Sequence, residues 1–312
     1  MVENTDKAHH LVHILVGPTA VGKSAVAHVI AERRGAAILS SDSMLVYKGM
    51  DVGTAKPSPF ELSRYQYAGV DIAEPEEEFN LALYLDHVRS SLAELDESDL
   101  LVVGGTGLYI KALTRGLDDG GAPDTALRRE AEEILSKSGL GALQDFVRRN
   151  SPDNYAALKD KHNPRRLVRA LERRGTAVPA GWHGLEPPPI VGLRLDRDRL
   201  RKRIEQRVDQ MHRQGLLDEV ERLRSSGRLS RTARQAIGYR EAMEVLDGDM
   251  SWDQARDKIC SRTARLAKSQ MTWFNNQERV EWVDVAEYHG HEAIADRVEE
   301  IWRINGRTRI RL

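Results

Sequence analysis

The chain of 312 residues holds a single cysteine, Cys260, so it can form neither an internal disulfide nor a cysteine-rich zinc site. One thiol in a chain of this length fits a reducing, intracellular setting. Nowhere do 18 apolar residues run together, which excludes a membrane-spanning helix. The short apolar run Leu11–Val16 has no basic lead and no small-residue cleavage site, and it reads as a strand rather than a signal peptide. The histidines show no H-E-x-x-H or other ligand spacing and read as surface or packing residues. There is no internal repeat and no low-complexity tract.

What is present describes a soluble globular protein. Apolar residues make up 40% of the chain and charged residues 30%. The length fits two domains. A net charge of −1 hides an asymmetry, because residues 161–240 hold 20 Lys and Arg against 9 Asp and Glu. A net +11 in one block points to an anionic partner, nucleic acid first. A solvated, Arg-rich helical surface with no partner is the alternative.

Strands and helices alternate through the first 110 residues. Leu11–Val16 reads as a buried strand, followed by a Gly-rich turn and a helix at Ser24–Arg34. Ala36–Leu39 is a second strand, and Asp71–Ala73 is expected as a short edge strand. Leu81–Leu95 has helical spacing, and Leu100–Val103 is a strand that runs into Gly104-Gly105-Thr106-Gly107 and another helix. Such alternation predicts an α/β fold, a parallel sheet core covered by helices. The pattern changes near Gly116, with a linker expected at 118–123 and helix formers over 124–178. A Pro/Gly loop follows from Gly181 to Pro189. A strand at Ile190–Leu195 resumes the sheet, helix follows from Arg197 to about residue 275, and Val280–Val283 closes the sheet. The expected organisation is a core of 1–116 plus 190–312, with a helical insertion at 117–189.

Residues 17–24 read Gly17-Pro18-Thr19-Ala20-Val21-Gly22-Lys23-Ser24, the full G-x-x-x-x-G-K-S pattern between a strand and a helix. Its glycines turn backbone amides toward an oxyanion, and the helix N-terminus adds partial positive charge. Lys23 brings an ammonium to the phosphates, and Ser24 is a ligand for Mg²⁺. The pattern names a polyphosphate and not a reaction. An NTPase would place a metal-binding acid at the end of a later strand, whereas Leu100–Val103 ends in Gly104-Gly105. A base-reading N-K-x-D is absent. Gly105-Thr106-Gly107 is not a dinucleotide fingerprint, because Ile110 stands at its third glycine position. Asp42 follows the second strand. Strand C-termini line the ligand crevice of open parallel sheets, which makes Asp42 a candidate general base, with an Asx-turn residue as the plain alternative. Thr106, at the end of another parallel strand, is expected to face the same crevice, with a turn-stabilising hydroxyl as the plain alternative.

These features resemble the tRNA dimethylallyltransferase (tRNA isopentenyltransferase) family in its bacterial form. The likeness is carried by GPTAVGKS (17–24), DSMLVYKGMDVGTAKP (42–57), VGGTGLY (103–109), HNPRRLVRALE (162–172), RIEQRVDQM (203–211), QAIGYRE (235–241) and KSQMTWF (268–274). The resemblance implies a P-loop NTPase-like core and transfer of a dimethylallyl group from its diphosphate to the exocyclic amine of adenosine 37, next to the tRNA anticodon. It implies Asp42 as the base, assisted by Thr106. Lys23, Arg207 and Mg²⁺ on Ser24 then stabilise the departing diphosphate, which residues 17–24 and Arg203 bind. It implies tRNA contacts, in the anticodon stem-loop, by Asp42, Ser43, Met44, Leu45, Thr106, Arg128, Arg165, Arg166 and Arg169. Further contacts are implied for Gln235, Gly238, Tyr239, Arg240, Lys268, Gln270 and Trp273. ATP is a nucleotide competitor for the same loop.

One run departs from the family. Where T-R-x-x-A-K-R-Q-x-T-W-F-R is usual, this chain has Ala264, Ser269 and Asn275 in place of three arginines, with Arg265 as a shifted substitute. The donor and catalytic positions are untouched. The zinc-finger extension of eukaryotic members is absent. The expected protein is a cytoplasmic monomer. Other readings of the same residues are a small-molecule kinase with Asp42 as base, a prenyltransferase acting on free adenine nucleotides, and a non-catalytic RNA-binding protein.

Overall fold

A computed structural model describes residues 10–94, 99–116, 124–174, 188–227 and 229–311. The chain forms two compact units, residues 1–116 with 186–312, and residues 117–185.

The first unit opens with β1 (Leu11–Val16), α1 (Lys23–Arg34), β2 (Ala37–Ser41), α2 (Pro59–Arg64), β3 (Tyr67–Ala68), α3 (Leu81–Glu94), β4 (Leu100–Gly104) and α4 (Gly107–Arg115). The second unit contributes α5 (Thr125–Asn150), α6 (Pro152–Ala157) and α7 (Pro164–Glu172). The first unit then resumes with β5 (Pro189–Arg194), α8 (Arg197–Arg213), α9 (Leu216–Ser226), α10 (Arg231–Gln235), α11 (Tyr239–Leu246) and α12 (Trp252–Gln277). It ends with β6 (Arg279–Asp284), α13 (Gly290–Asn305) and β7 (Thr308–Arg309).

The sheet runs β3-β2-β4-β1-β5-β6, parallel throughout, with β7 added antiparallel to the start of β1. Its central strands are buried on both faces, as their continuous apolar runs require. Val12, Ile14 and Val16 point to one face, where they pack with α3 and α4, while Leu15 points to the other among α1, α8 and α13. In the second unit, Leu127, Ala131, Leu143, Val147, Leu167 and Leu171 form a separate core for its three helices. Asn163 caps α7, its side chain accepting from the amides of Arg165 and Arg166.

The expected edge strand at Asp71–Ala73 is not one. The edge strand is β3, and Ala73 makes only a single bridge to Tyr47. Asp71 sits at φ +55°, a left-handed conformation that interrupts an extended run. Neither α13 nor β7 was expected from the sequence, although Ile294, Val298 and Ile301 recur at helical spacing and are buried. The expected linker at 118–123 and most of the loop at 181–189 lie outside the described residues.

Candidate active site

Parallel pairing brings the C-terminal ends of β1, β2 and β4 together: Gly104 is in register with both Val16 and Ser41. The loops that leave these strands carry residues 17–22, Asp42 and Thr106. Gly104 has to be glycine, because a Cβ there would collide with the Ser41 carbonyl. That close approach lets the Thr106 amide donate to the Ser41 carbonyl at 3.1 Å. The Thr106 hydroxyl in turn accepts from the Ser43 amide at 3.1 Å, so the two strand-end loops are tied to each other.

Asp42 makes the Asx-turn, its Oδ1 accepting from the Met44 amide at 2.9 Å. Its other carboxylate oxygen takes no hydrogen bond from a described residue. The side chain is half-buried in the wall of a cleft of about 260 Å³ that Lys23, Ser24, Thr54, Arg207 and Gln270 also line. The structural and functional readings of Asp42 are therefore compatible, since one oxygen fixes the turn while the other is left without a hydrogen bond in a residue that lines the cleft.

Lys23 opens α1, its ammonium donating to the carbonyls of Gly17 and Pro18 at 2.9 Å each. Burial pulls its pKa down to about 8, against the attraction of Asp42 and with a smaller push from Arg207. Burial also lowers the pKa of Arg207, again opposed by Asp42. The cleft wall thus carries two half-buried cations and one carboxylate, an arrangement short of negative charge.

Arg203 and Arg207 lie one turn apart on α8 but do different things. Arg207 donates to the Thr54 carbonyl at 2.8 Å and reaches the Thr19 hydroxyl at 3.4 Å. Arg203 is exposed, donates to the Val21 carbonyl at 2.7 Å, and is not part of the cleft wall, so it braces the loop from outside. Their acidic neighbours pair elsewhere, Glu205 with Arg201 and Asp209 with Arg256. Gln270 of α12 bridges two loops, accepting from the Thr19 amide at 2.9 Å and donating to the Gly105 carbonyl at 3.1 Å. Thr54 and Ala55 belong to the cleft wall and were missed by sequence reasoning.

The residues expected to meet nucleic acid differ in exposure and pairing. Arg165, Arg166, Gln235, Arg240 and Lys268 are exposed. Arg128 and Arg169 both pair with the buried Glu172, and Arg240 pairs with Glu244. Tyr239 is a correction: it is fully buried, its hydroxyl donates to Glu219 at 2.6 Å, and it offers no surface to a ligand. Gly238 is buried too, its amide donating to Glu241 as α11 begins. Trp273 is half-buried against Gly107 and edge-on to Phe274, which is wholly in the core. Ser43, Met44 and Leu45 are half-buried beside Asp42.

Among the described residues no three His, Cys, Asp or Glu side chains gather to hold a metal. An all-protein cage is therefore not offered by them. Ser24, in the cleft wall next to Lys23, suits a hard cation that draws its remaining ligands from phosphate and water.

The sequence model of the family described as IPP transferase matches residues 45–277, and that described as isopentenyl transferase matches residues 10–68. The tRNA dimethylallyltransferase 2 of Syntrophus aciditrophicus is 38% identical over 94% of this chain and 95% of its own. The tRNA dimethylallyltransferase of Geobacillus thermodenitrificans is 37% identical over 95% and 97%. Among solved structures, the full-length tRNA isopentenylpyrophosphate transferase of Bacillus halodurans superposes with a TM-score of 0.64 at 35% identity, covering 94% of this chain and 98% of that one. A eukaryotic dimethylallyltransferase acting on tRNA shares the fold, with a TM-score of 0.72 at 21% identity over 95% and 76% of the two chains.

Proposed function

The chain belongs to the IPP transferase family, and from that premise we propose that it transfers a dimethylallyl group from dimethylallyl diphosphate to the exocyclic amine of adenosine 37 in tRNA. The observation that carries this reading is the cleft itself. A carboxylate with one oxygen unengaged lines the same cleft as two cations and a loop of the phosphate-binding pattern. Loop amides such as those of Ala20 and Gly22 hold the diphosphate together with Lys23 and Arg207, since Pro18 has no N–H and the Thr19 amide is taken by Gln270. The amine nitrogen attacks the first carbon of the dimethylallyl group as that carbon's bond to the diphosphate oxygen breaks. Asp42 takes the proton that the amine sheds. The nitrogen lone pair is delocalised into the ring, so proton removal during attack is worth on the order of 10²–10⁴-fold. The excess positive charge of the cleft stabilises the departing diphosphate. Thr106 ties the Asp42 loop to the β4 loop and holds the carboxylate where the amine arrives.

Mg²⁺ fits at Ser24 together with the diphosphate oxygens, where it would neutralise part of the leaving group's charge. The adenine leaves its stack to reach Asp42. In each unit, exposed cations supply sequence-independent affinity for the tRNA backbone: Arg165 and Arg166 in one, Arg240 and Lys268 in the other. The enzyme acts as a monomer in the cytoplasm, and no described helix is long and apolar enough to cross a membrane. ATP competes for the loop without being turned over.

The test is incubation with labelled dimethylallyl diphosphate and either tRNA, AMP or no acceptor, with the phosphate product identified. The expected result is label in tRNA and release of diphosphate only when tRNA is present. Label in AMP, or monophosphate released from ATP without tRNA, would replace the reading with a nucleotide prenyltransferase or a kinase.

A further inference from the structure

Glu219 lies on α9, only 2% exposed, and takes no part in the chemistry described above. A buried carboxylate is costly unless several donors meet it. Glu219 meets four. Its Oε2 accepts from the amides of Asp51 at 3.1 Å and Val52 at 2.7 Å, and its Oε1 accepts from the Gly53 amide at 3.2 Å and the Tyr239 hydroxyl at 2.6 Å. Three successive backbone N–H groups turned toward one anion form a nest. Here the anion is supplied by the protein's own side chain.

The nest fixes a loop that reaches the cleft. Gly53 lies flat on the Tyr239 ring, and any Cβ at this position would collide with that ring. From the other side Lys56, its side chain buried, donates to the Tyr47 carbonyl at 2.7 Å and pairs with Asp51 and Asp71. Thr54 follows the nest directly, and its carbonyl accepts the shortest bond that Arg207 makes. The other bond of that guanidinium, to the Thr19 hydroxyl, is 3.4 Å long. Among the described residues, no carboxylate lies within ion-pair distance of Arg207. Its position in the cleft therefore depends chiefly on where the Thr54 carbonyl stands.

We infer that Glu219 is a positioning residue for Arg207: by binding the amides of residues 51–53 it fixes the Thr54 carbonyl, and through it the guanidinium that meets the diphosphate. This rests on the placement of the diphosphate beside Arg207 proposed above. A glutamine at 219 keeps the shape, loses the charge, and turns one acceptor into an NH₂ that faces N–H groups. The nest then opens, the Thr54 carbonyl shifts, and Arg207 loses its anchor while the fold and the P-loop remain.

The experiment is a double-mutant cycle of Glu219→Gln and Arg207→Gln, read in two ways. The first readout is the Kd for inorganic diphosphate, measured without tRNA. The second is kcat and KM for transfer. Because hydrogen bonds to charged groups are the strong ones, Glu219→Gln is expected to cost about tenfold in diphosphate affinity and in kcat when Arg207 is present, and less than about twofold when it is glutamine. The KM for tRNA should stay unchanged. Tyr239→Phe removes one donor and keeps the ring, and it should show the same coupling at about threefold. This milder variant decides the matter if Glu219→Gln folds poorly by circular dichroism. Wild-type diphosphate affinity in both Glu219→Gln and Tyr239→Phe, or equal losses with and without Arg207, overturns the inference. So does an Arg207→Gln protein that binds diphosphate as well as the wild type. A wild type that binds diphosphate with the expected coupling but transfers nothing to tRNA would refute the functional reading alone.

Discussion

Lys23 should make donor binding fall as pH rises through about 8. Burial holds its ammonium near that value instead of the ordinary 10.5, with Asp42 opposing the drop. If only the charged form receives the diphosphate, affinity follows the protonated fraction. From pH 7.5 to pH 9.0 that fraction falls from roughly three quarters to about one tenth, an approximately eightfold loss of affinity. A lysine at 10.5 would lose only about 3% of its charge over the same interval. The sign for stability runs the other way. The unfolded chain keeps the proton up to 10.5, so below pH 8 the buried ammonium is a cost to folding, and that cost is relieved between 8 and 10.5 as the folded protein sheds the proton first. Weak binding above pH 8 with undiminished thermal stability is thus the joint signature. The assay is calorimetric titration of dimethylallyl diphosphate, without tRNA, between pH 7.0 and 9.5. The ligand, with a last ionisation at about 6, is almost fully ionised above pH 7.5, and no nucleobase is present to titrate. Lys23→Arg is the control, because a guanidinium keeps its charge and its profile should be flat, at whatever affinity it retains. A flat wild-type profile to pH 9.5, or an equal fall in Lys23→Arg, would refute the reasoning.

Asp42→Asn should lower kcat by roughly 10²–10⁴-fold, with tRNA and diphosphate affinities within about threefold of wild type; near-normal turnover removes Asp42 from the mechanism. Arg165→Gln and Arg166→Gln, at exposed positions with no side-chain partner among the described residues, should each reduce the salt slope of tRNA binding by about one unit in filter binding at several salt concentrations. An unchanged slope in both, singly and combined, rejects that surface. His13 is buried on β1 and stacked on Trp302, and burial followed by the charge of Arg34 holds its pKa down to about 4. Its unfolded value of 6.5 means the unfolded chain takes up the proton first, so stability is full above 6.5 and is lost as pH falls toward 4. Urea unfolding should show about 2 kcal/mol lost between pH 7 and 5 beyond that of His13→Gln, and identical pH dependence in both proteins would contradict it.

The parts of the site that are local in sequence could be read from it, and the parts made by long-range packing could not. The P-loop pattern is self-contained: the glycines, Lys23 and Ser24 lie within eight residues, and their roles follow from a strand–turn–helix context that the same stretch supplies. Asp42 and Thr106 were reachable because strand ends in a parallel sheet converge, so two apolar runs followed by a polar residue place both in one crevice. Glu219 has no such signal. It is one acid among several on a charged helix, and what distinguishes it is a loop 166 residues earlier that no spacing rule connects to it. Tyr239 misled for the complementary reason. It sits between Gly238 and Arg240 in a block that the resemblance assigns as a whole to tRNA contact, yet a helix turns by about 100° per residue, so Arg240 is exposed and Tyr239 faces α9. Arg128 and Arg169, which the resemblance places against tRNA, both pair with Glu172, a buried acid whose charge they must offset before any phosphate is met. The hidden acids, Glu172 and Glu219, thus set how much of the surrounding positive charge and which of the loop geometries are left over for a ligand. A reading of charge along the chain counts such residues as surface, whereas their burial makes them part of the frame on which the site is held.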